Sequence, residues 1–355
     1  MTHGFRHHRY WLAAAVLPVI FPLAGQAASP IAKNMACATC HRAEAASQPK
    51  TAMGIGIELP PNQEVLQKHP KLTADENGYH YEIEYKDGAG TYTVSDPSGK
   101  LTLPIKYAFG FYNVTFVFEY QGDFYESMVS YYENIGGLAT TIGDNRLQPH
   151  NLVEAMGRKT SENEITACFG CHSTGAVSQR KLTLTSLQPG VSCEHCHEGA
   201  TAHMQALAAG KTAPLPRHLG DMGAEEMSNF CGQCHRTWEN VVEQGIFGQR
   251  NVRFQPYRLA NSKCFLGDDK RIRCTACHNP HQEIVRAPAA YDKACLACHG
   301  TSAIAAADAV TKKSCPVSDK NCVTCHMPKV TMPGSPSVFS DHQIRVVRVG
   351  EKYPN

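Results

Sequence analysis

Between residues 77 and 135 the chain alternates. Tyr79, Tyr81, Ile83 and Tyr85 are spaced by polar residues, and Phe116, Phe118 and Tyr120 keep the same two-residue period. That period lines one face of an extended strand with apolar side chains and leaves the other face to water. Asp87-Gly88-Ala89-Gly90, between two such runs, reads as a hairpin turn. The stretch predicts an antiparallel β module of roughly five to seven strands. It holds 15 of the chain's 29 aromatic residues. Cross-strand pairing accounts for most of them, and a docking surface or a cover over a neighbouring site is the other use they could have.

Past residue 146 the pattern changes to short helical segments. Ser161 followed by Glu164 predicts a capped helix start. Residues 201–209 are alanine-rich and stop at Gly210, a segment over 224–244 ends before Gly245, another over 288–299 ends at Gly300, and Ser318 is a candidate cap for a last short helix. Proline and glycine clusters near 213–220, 279–281 and 327–337 predict crossing loops. At the other end, Arg6 and Arg9 precede an apolar run from Trp11 to Leu23, and Gly25-Gln26-Ala27 offers small residues for cleavage. The run is shorter than the roughly 20 residues that span a bilayer. Residues 1–27 are therefore expected to be a secretory signal peptide. The mature chain, with no transmembrane segment, is expected in the periplasm, secreted or at the cell surface.

Composition narrows the function. The chain has 355 residues, 42% hydrophobic and 19% charged, with a formal charge of +2. It is too apolar to be disordered and too evenly charged for a basic nucleic-acid binder. The 16 cysteines and 18 histidines are the outliers. At those frequencies C-x-x-C-H should occur about 0.04 times by chance, yet it occurs seven times. The cysteines are Cys37 and Cys40, Cys168 and Cys171, Cys193 and Cys196, Cys231 and Cys234, Cys274 and Cys277, Cys295 and Cys298, and Cys322 and Cys325. Each pair is followed by its histidine: His41, His172, His197, His235, His278, His299 and His326. This is the c-type haem attachment pattern. Two thiols three positions apart lie on one side of a helical turn, within reach of the two vinyl groups of one porphyrin, and the adjacent imidazole presents itself to the iron. A disulfide framework would not place a histidine after every second cysteine, zinc knuckles would pair the C-x-x-C units, and a thioredoxin-like site would appear once. Seven covalently bound haem c groups are expected.

Two cysteines, Cys264 and Cys315, remain outside the motifs. An even remainder in an oxidising compartment predicts one disulfide, with two separate thiols as the alternative. Eight histidines lie outside the motif positions and the leader: His69, His80, His150, His195, His203, His218, His281 and His342. Their number suits a second histidine on each iron. His195 sits inside a motif loop and is set aside, which leaves seven candidates. Methionine is the rival ligand, with Met128, Met156, Met204, Met222, Met227, Met327 and Met332 available. His203 and His281 follow a motif histidine too closely to reach the far face of the same porphyrin, so each is expected to serve a neighbouring haem.

The motifs are unevenly spread. One lies in an N-terminal segment over 28–54, none in the β-rich stretch over 55–145, and six in the segment over 146–355. The expected fold is α+β, with short helices and loops wrapped around covalent haems and the β module inserted between the first and second haem sites.

Three segments carry a family likeness. Gly190 to His197 with His203, Cys274 to His281, and Cys322 to Pro328 with Ser340-Asp341-His342-Gln343-Ile344 resemble elements of the nitrifier tetrahaem cytochrome c family and of larger bacterial multihaem cytochromes. The β stretch leading from Val129-Ser130-Tyr131-Tyr132 towards His150 is similar to an insertion in some of the larger ones. Across roughly 147–346 the resemblance implies stacked haem pairs and electron transfer, with His203, His281 and His342 as second ligands. The tetrahaem relatives carry fewer haems, so no one-to-one haem correspondence follows. The expected function is an electron carrier whose partners are other cytochromes, membrane quinol-oxidising complexes or further copies of itself in a filament. The alternative is a reductase or oxidase of small nitrogen or sulfur compounds, which needs one open iron. The Cys-x-x-Cys-Lys site of pentahaem nitrite reductases is absent. Two propionates per haem would make the loaded protein acidic and favour a basic partner surface.

Overall fold

The computed structural model describes Met1 and residues 37–144, 146–300 and 315–354. The leader expected over 1–27 lies outside the described residues. Mixed helix and antiparallel sheet make this an α+β chain.

Strands β2 (Lys71–Glu76), β3 (Tyr79–Lys86), β4 (Ala89–Asp96) and β5 (Gly99–Pro104) follow a short β1 (Ile57–Glu58) and form a four-stranded antiparallel meander. The β2–β3 and β3–β4 turns carry Asn77-Gly78 and Asp87-Gly88, all four residues with positive φ. That is the hairpin geometry whose twist matches the strands, and asparagine, aspartate and glycine tolerate it best. The register sets Ile83 opposite Tyr92 and Tyr92 opposite Leu103, so the apolar residues of successive strands share one face.

The second sheet has seven strands. The path β1, β6 (Tyr107–Gly110), β7 (Asn113–Tyr120), β8 (Asp123–Ser127), β11 (Gly157–Lys159) is joined by β9 (Val129–Tyr132), which pairs with β7 and with β10 (Gly137–Thr140). Seven of these strands, β3 to β9, lie within residues 77–135, in keeping with the alternation there, and β1, β2, β10 and β11 flank that stretch. In β9 all four residues are buried. A strand covered on both faces has no polar alternation to read.

The two sheets face each other. Tyr81, Ile83, Tyr92 and Val94 of the meander share one buried cluster with Phe116, Phe118, Val129 and Tyr131 of the larger sheet. The rings of Tyr92 and Phe118 are 5.1 Å apart. The far side of the larger sheet carries a second cluster, in which Ile57, Tyr107, Phe109 and Val117 receive Ile165 and Phe169. Those last two residues belong to the helix Glu162–His172, which carries the second C-x-x-C-H motif. Its expected cap is present: Ser161 Oγ accepts from the Glu164 amide at 3.2 Å, and the Glu164 carboxylate accepts from the Ser161 amide at 2.8 Å.

Among the described residues beyond 193, apolar packing is thin. The cluster there comprises Val241, Phe254 and Tyr257 with Ile246 against it. The helix expected over 224–244 is two helices, Ala224–His235 and Trp238–Glu243. Arg236 between them has a φ of 66°, and Thr237 and Asn240 cap the second helix reciprocally. The break falls immediately after the motif histidine. The sheets and the motif region are tied together by Tyr112 Oη donating to Glu283 (2.6 Å), Arg286 on Glu133 (3.0 Å) and Asn113 Nδ2 on Ser337 Oγ (3.1 Å).

Candidate metal centre

Each motif forms one turn of helix. The amide of the motif histidine bonds to the carbonyl of the first motif cysteine at 2.8 Å in His41, 2.8 Å in His197 and 3.0 Å in His278. An i to i+4 bond of this kind sets both sulfurs on one side of the turn and puts the imidazole at its end. Longer helices, Glu162–His172, Ala224–His235 and Asp292–His299, deliver three other motifs at their C-terminal ends. The helix of the seventh motif, Cys322–His326, is capped from its neighbour: Asp292, which opens the helix of the sixth, accepts from the Asn321 and Cys322 amides at 2.7 and 2.9 Å. Ser318, the expected cap, accepts from the Lys320 amide instead.

The motifs neighbour one another. The Cys37 and Cys193, Cys171 and Cys234, Cys231 and Cys274, and Cys295 and Cys322 thiols lie close enough to shift one another's titration. First meets third, second meets fourth, fourth meets fifth and sixth meets seventh. No group of three or more His, Cys, Asp or Glu residues forms a metal cage among the described residues.

Histidine pairs provide a test of fit to haem. Two imidazoles on opposite sides of one iron, with metal–nitrogen bonds of about 2 Å, place their ring centres roughly 6.3 Å apart. His197 and His281 have ring centres 6.0 Å apart and planes 10° from parallel. His278 and His342 are 6.2 Å apart, at 41°. Each pair joins a motif histidine to one from outside the motifs, and the donor set fits haem iron at both places.

The ring nitrogens are prepared for such a role. His172 Nδ1 bonds to the Gly56 carbonyl (2.9 Å), His326 Nδ1 to the Arg345 carbonyl (2.9 Å), His342 Nδ1 to the Ser340 carbonyl (3.0 Å) and His203 Nδ1 to the Pro214 carbonyl (2.9 Å). A carbonyl partner fixes the proton on Nδ1 and leaves the Nε2 lone pair for a metal. Burial lowers the pKa of His172 and His278, and it pushes His342 down to about 4, so all three rings are held in the neutral form that a metal ligand needs. The approach to His172 depends on two glycines. A Cβ on Gly56 would lie 2.6 Å from the His172 carbonyl, and one on Gly190 would lie 1.7 Å from the Gly54 carbonyl.

The other candidate ligands stand apart from these pairs. His218 is exposed and bonds through Nδ1 to Asp221 at 2.9 Å. His80 projects from β3 and bonds to Asp75 at 2.8 Å. His150 is exposed, and its backbone amide bonds to Glu154 at 2.9 Å. His69 meets Tyr131 Oη through Nε2 at 3.1 Å, in a cavity of about 220 Å³ that Glu58, Phe111 and Glu133 also line. Cys264 and Cys315 are both exposed and unpaired, so the expected disulfide is not formed in the structure.

Sequence reasoning missed the residues that hold the ligand segments. Arg258 is fully buried and grips Asp341 with Nε at 2.8 Å and Nη2 at 3.0 Å. Burial works to raise the pKa of Asp341, but its hydrogen bonds to Arg258 and Arg345 hold it below the usual carboxylate range. Tyr257-Arg258-Leu259 offers no spacing signal, and only the fold brings Arg258 to a segment 83 residues away.

No curated protein and no solved structure matches the chain. A family model described as cytochrome c554 and c-prime matches residues 140–198, the segment that contains the second and third motifs. The match supports an electron-transfer cytochrome of the c type with covalently bound haem.

Proposed function

We propose that this chain is a seven-haem c-type cytochrome that carries electrons between redox partners outside the cytoplasm, through closely packed haems with two histidine ligands each. The spacing of the His197–His281 and His278–His342 pairs is the observation that carries the reading. Each C-x-x-C-H turn would hold one porphyrin by two thioether bonds. The bound haem supplies a one-electron couple whose potential follows its axial ligands and burial. Backbone carbonyls fix the rings of His172, His203, His326 and His342, and a second histidine would close each iron to small molecules. Neighbouring motif cysteines support close neighbours first with third, second with fourth, fourth with fifth, fifth with sixth and sixth with seventh, and His281, three residues past the fifth motif, brings that motif to the third. The thin apolar core among the described residues beyond 193 points the same way, since so long a segment needs more buried surface than that small cluster provides. The loaded protein would be acidic, and its partner, a quinol-oxidising complex or another cytochrome, would offer a basic surface.

A pyridine haemochrome assay should find seven haems per chain, one for each motif; fewer would break the reading. Low-temperature EPR of the oxidised protein should show low-spin signals that nitrite and hydroxylamine leave unchanged. A high-spin signal that responds to either would identify an open iron and make the chain a reductase or oxidase of small nitrogen compounds.

A further inference from the structure

We propose that Arg258 and Asp341 form a buried positioning pair that sets the axial histidines of two haem motifs at once, His342 opposite His278 and His326 of the seventh motif. The inference rests on the reading of these histidines as haem ligands.

Arg258 has five N–H donors, and the structure gives each one an acceptor. Nε and Nη2 reach the two oxygens of Asp341 at 2.8 and 3.0 Å. Nη2 also reaches Gln343 Oε1 at 2.6 Å, and Nη1 reaches Asn251 Oδ1 at 3.2 Å and the Pro354 carbonyl at 2.9 Å. The guanidinium lies 4.6 Å from the centre of the Tyr353 ring. Asp341 takes a further bond from Arg345 Nη1 at 2.6 Å. Both members of the pair are fully buried. Burying a charge is costly, and an apolar pair of similar volume would usually stabilise a fold as well. What a fully satisfied fork adds is direction: the carboxylate can sit in one place only.

That place is adjacent to the ligands. His342 follows Asp341 directly, and its Nδ1 is tied back to the Ser340 carbonyl. Ser262 Oγ donates to the His342 carbonyl at 3.2 Å and accepts from the Ile344 amide at 2.8 Å, which prevents the segment from rolling. Arg345 returns through its backbone: its carbonyl holds His326 Nδ1 at 2.9 Å and its amide bonds to the His326 carbonyl at 3.2 Å. A displacement of Asp341 is therefore passed to His342 on one side and, through Arg345, to His326 on the other. Arg258 touches neither ring. It acts through the segment between them.

The test uses the haem-loaded full chain. Arg258→Lys keeps the charge but replaces the planar fork with one nitrogen. Arg286→Lys, at an exposed ion pair with Glu133, is the control. Haem count, the unfolding midpoint and the low-temperature EPR spectrum of the oxidised protein are measured for each. The expected result is an unchanged haem count with the g values of two low-spin signals moved in Arg258→Lys and none moved in Arg286→Lys. A lowered unfolding midpoint with every signal in place would mean that the pair is structural only and would overturn the proposal. So would a uniform movement of all signals. If Arg258→Lys fails to accumulate, the double variant Arg258→Met with Asp341→Leu removes both charges at similar volume, and the same two-signal criterion applies. Failure of the underlying cytochrome reading is separately visible, because the unmodified chain would then carry no haem.

Discussion

Phe169 lies between the two cysteines of the second motif and is fully buried. Its ring meets Tyr107 at 4.9 Å and 88°, Phe109 at 5.1 Å and 79°, and Phe124 at 6.1 Å and 67°. These edge-on contacts fasten the helix Glu162–His172 to the larger sheet, so a haem-attachment turn and the β module depend on one side chain. Burying a phenyl group of about 150–250 Å² at ~25 cal/mol per Å² is worth roughly 4–6 kcal/mol. Phe169→Ala keeps a little of that area and leaves a cavity between sheet and helix, and losses for such truncations fall at about 3–5 kcal/mol. Three aromatic partners place this site near the upper end, at about 4–5 kcal/mol. Phe169→Leu retains most of the volume and should lose about 1–1.5 kcal/mol. Urea denaturation followed by far-ultraviolet circular dichroism reads both values from the midpoint, provided the slope is unchanged. A Phe169→Ala protein within about 1 kcal/mol of the parent would refute the packing account, because no fully buried aromatic of this kind should be dispensable.

Gly190→Ala should cost more than about 2 kcal/mol, since a φ of 76° alone costs about 1–2 and the new Cβ meets the Gly54 carbonyl, whereas Gly210→Ala, at a φ of 64° with open space around it, should cost only the conformational part; thermal midpoints compare the two. His342→Met should keep its haem and raise the midpoint of one titration step in a spectroelectrochemical experiment, and an unchanged titration would remove His342 from the ligand set. Tyr131→Phe removes the bond to His69 and should cost about 1 kcal/mol without altering haem content. Burial pushes the Glu58 carboxyl up to about 7, opposed by its bond from the Glu64 amide. The folded chain then holds that proton at pH values where the unfolded chain has released it, so stability falls as pH rises from about 4 to 7. Glu58→Gln should gain on the parent across that window, and a constant difference between pH 4.5 and 7.5 would contradict the assignment.

Some of this architecture is plain from the residue order. The β meander follows from the alternation around Tyr81, Ile83 and Tyr92 and from its Asn-Gly and Asp-Gly turns, because period and turn chemistry are local properties. The Ser161–Glu164 cap is local as well. Strand β9 belongs to the predicted β stretch but shows no alternation of its own, since all four of its residues are buried. The break at Arg236 was hidden inside a continuous helical pattern.

The sequence by itself determined the chemistry: the order of cysteine and histidine in each motif is a one-turn property, complete within five residues. It also supplied a set of possible second ligands. Only the tertiary structure decided which imidazoles meet, because His281 opposite His197 and His342 opposite His278 are joined by chain crossings of tens of residues that no local pattern encodes. The buried fork of Arg258 on Asp341 belongs to the same class. Its five acceptors belong to four residues in three separate stretches of the chain, and a donor set of that kind exists only after the chain has folded.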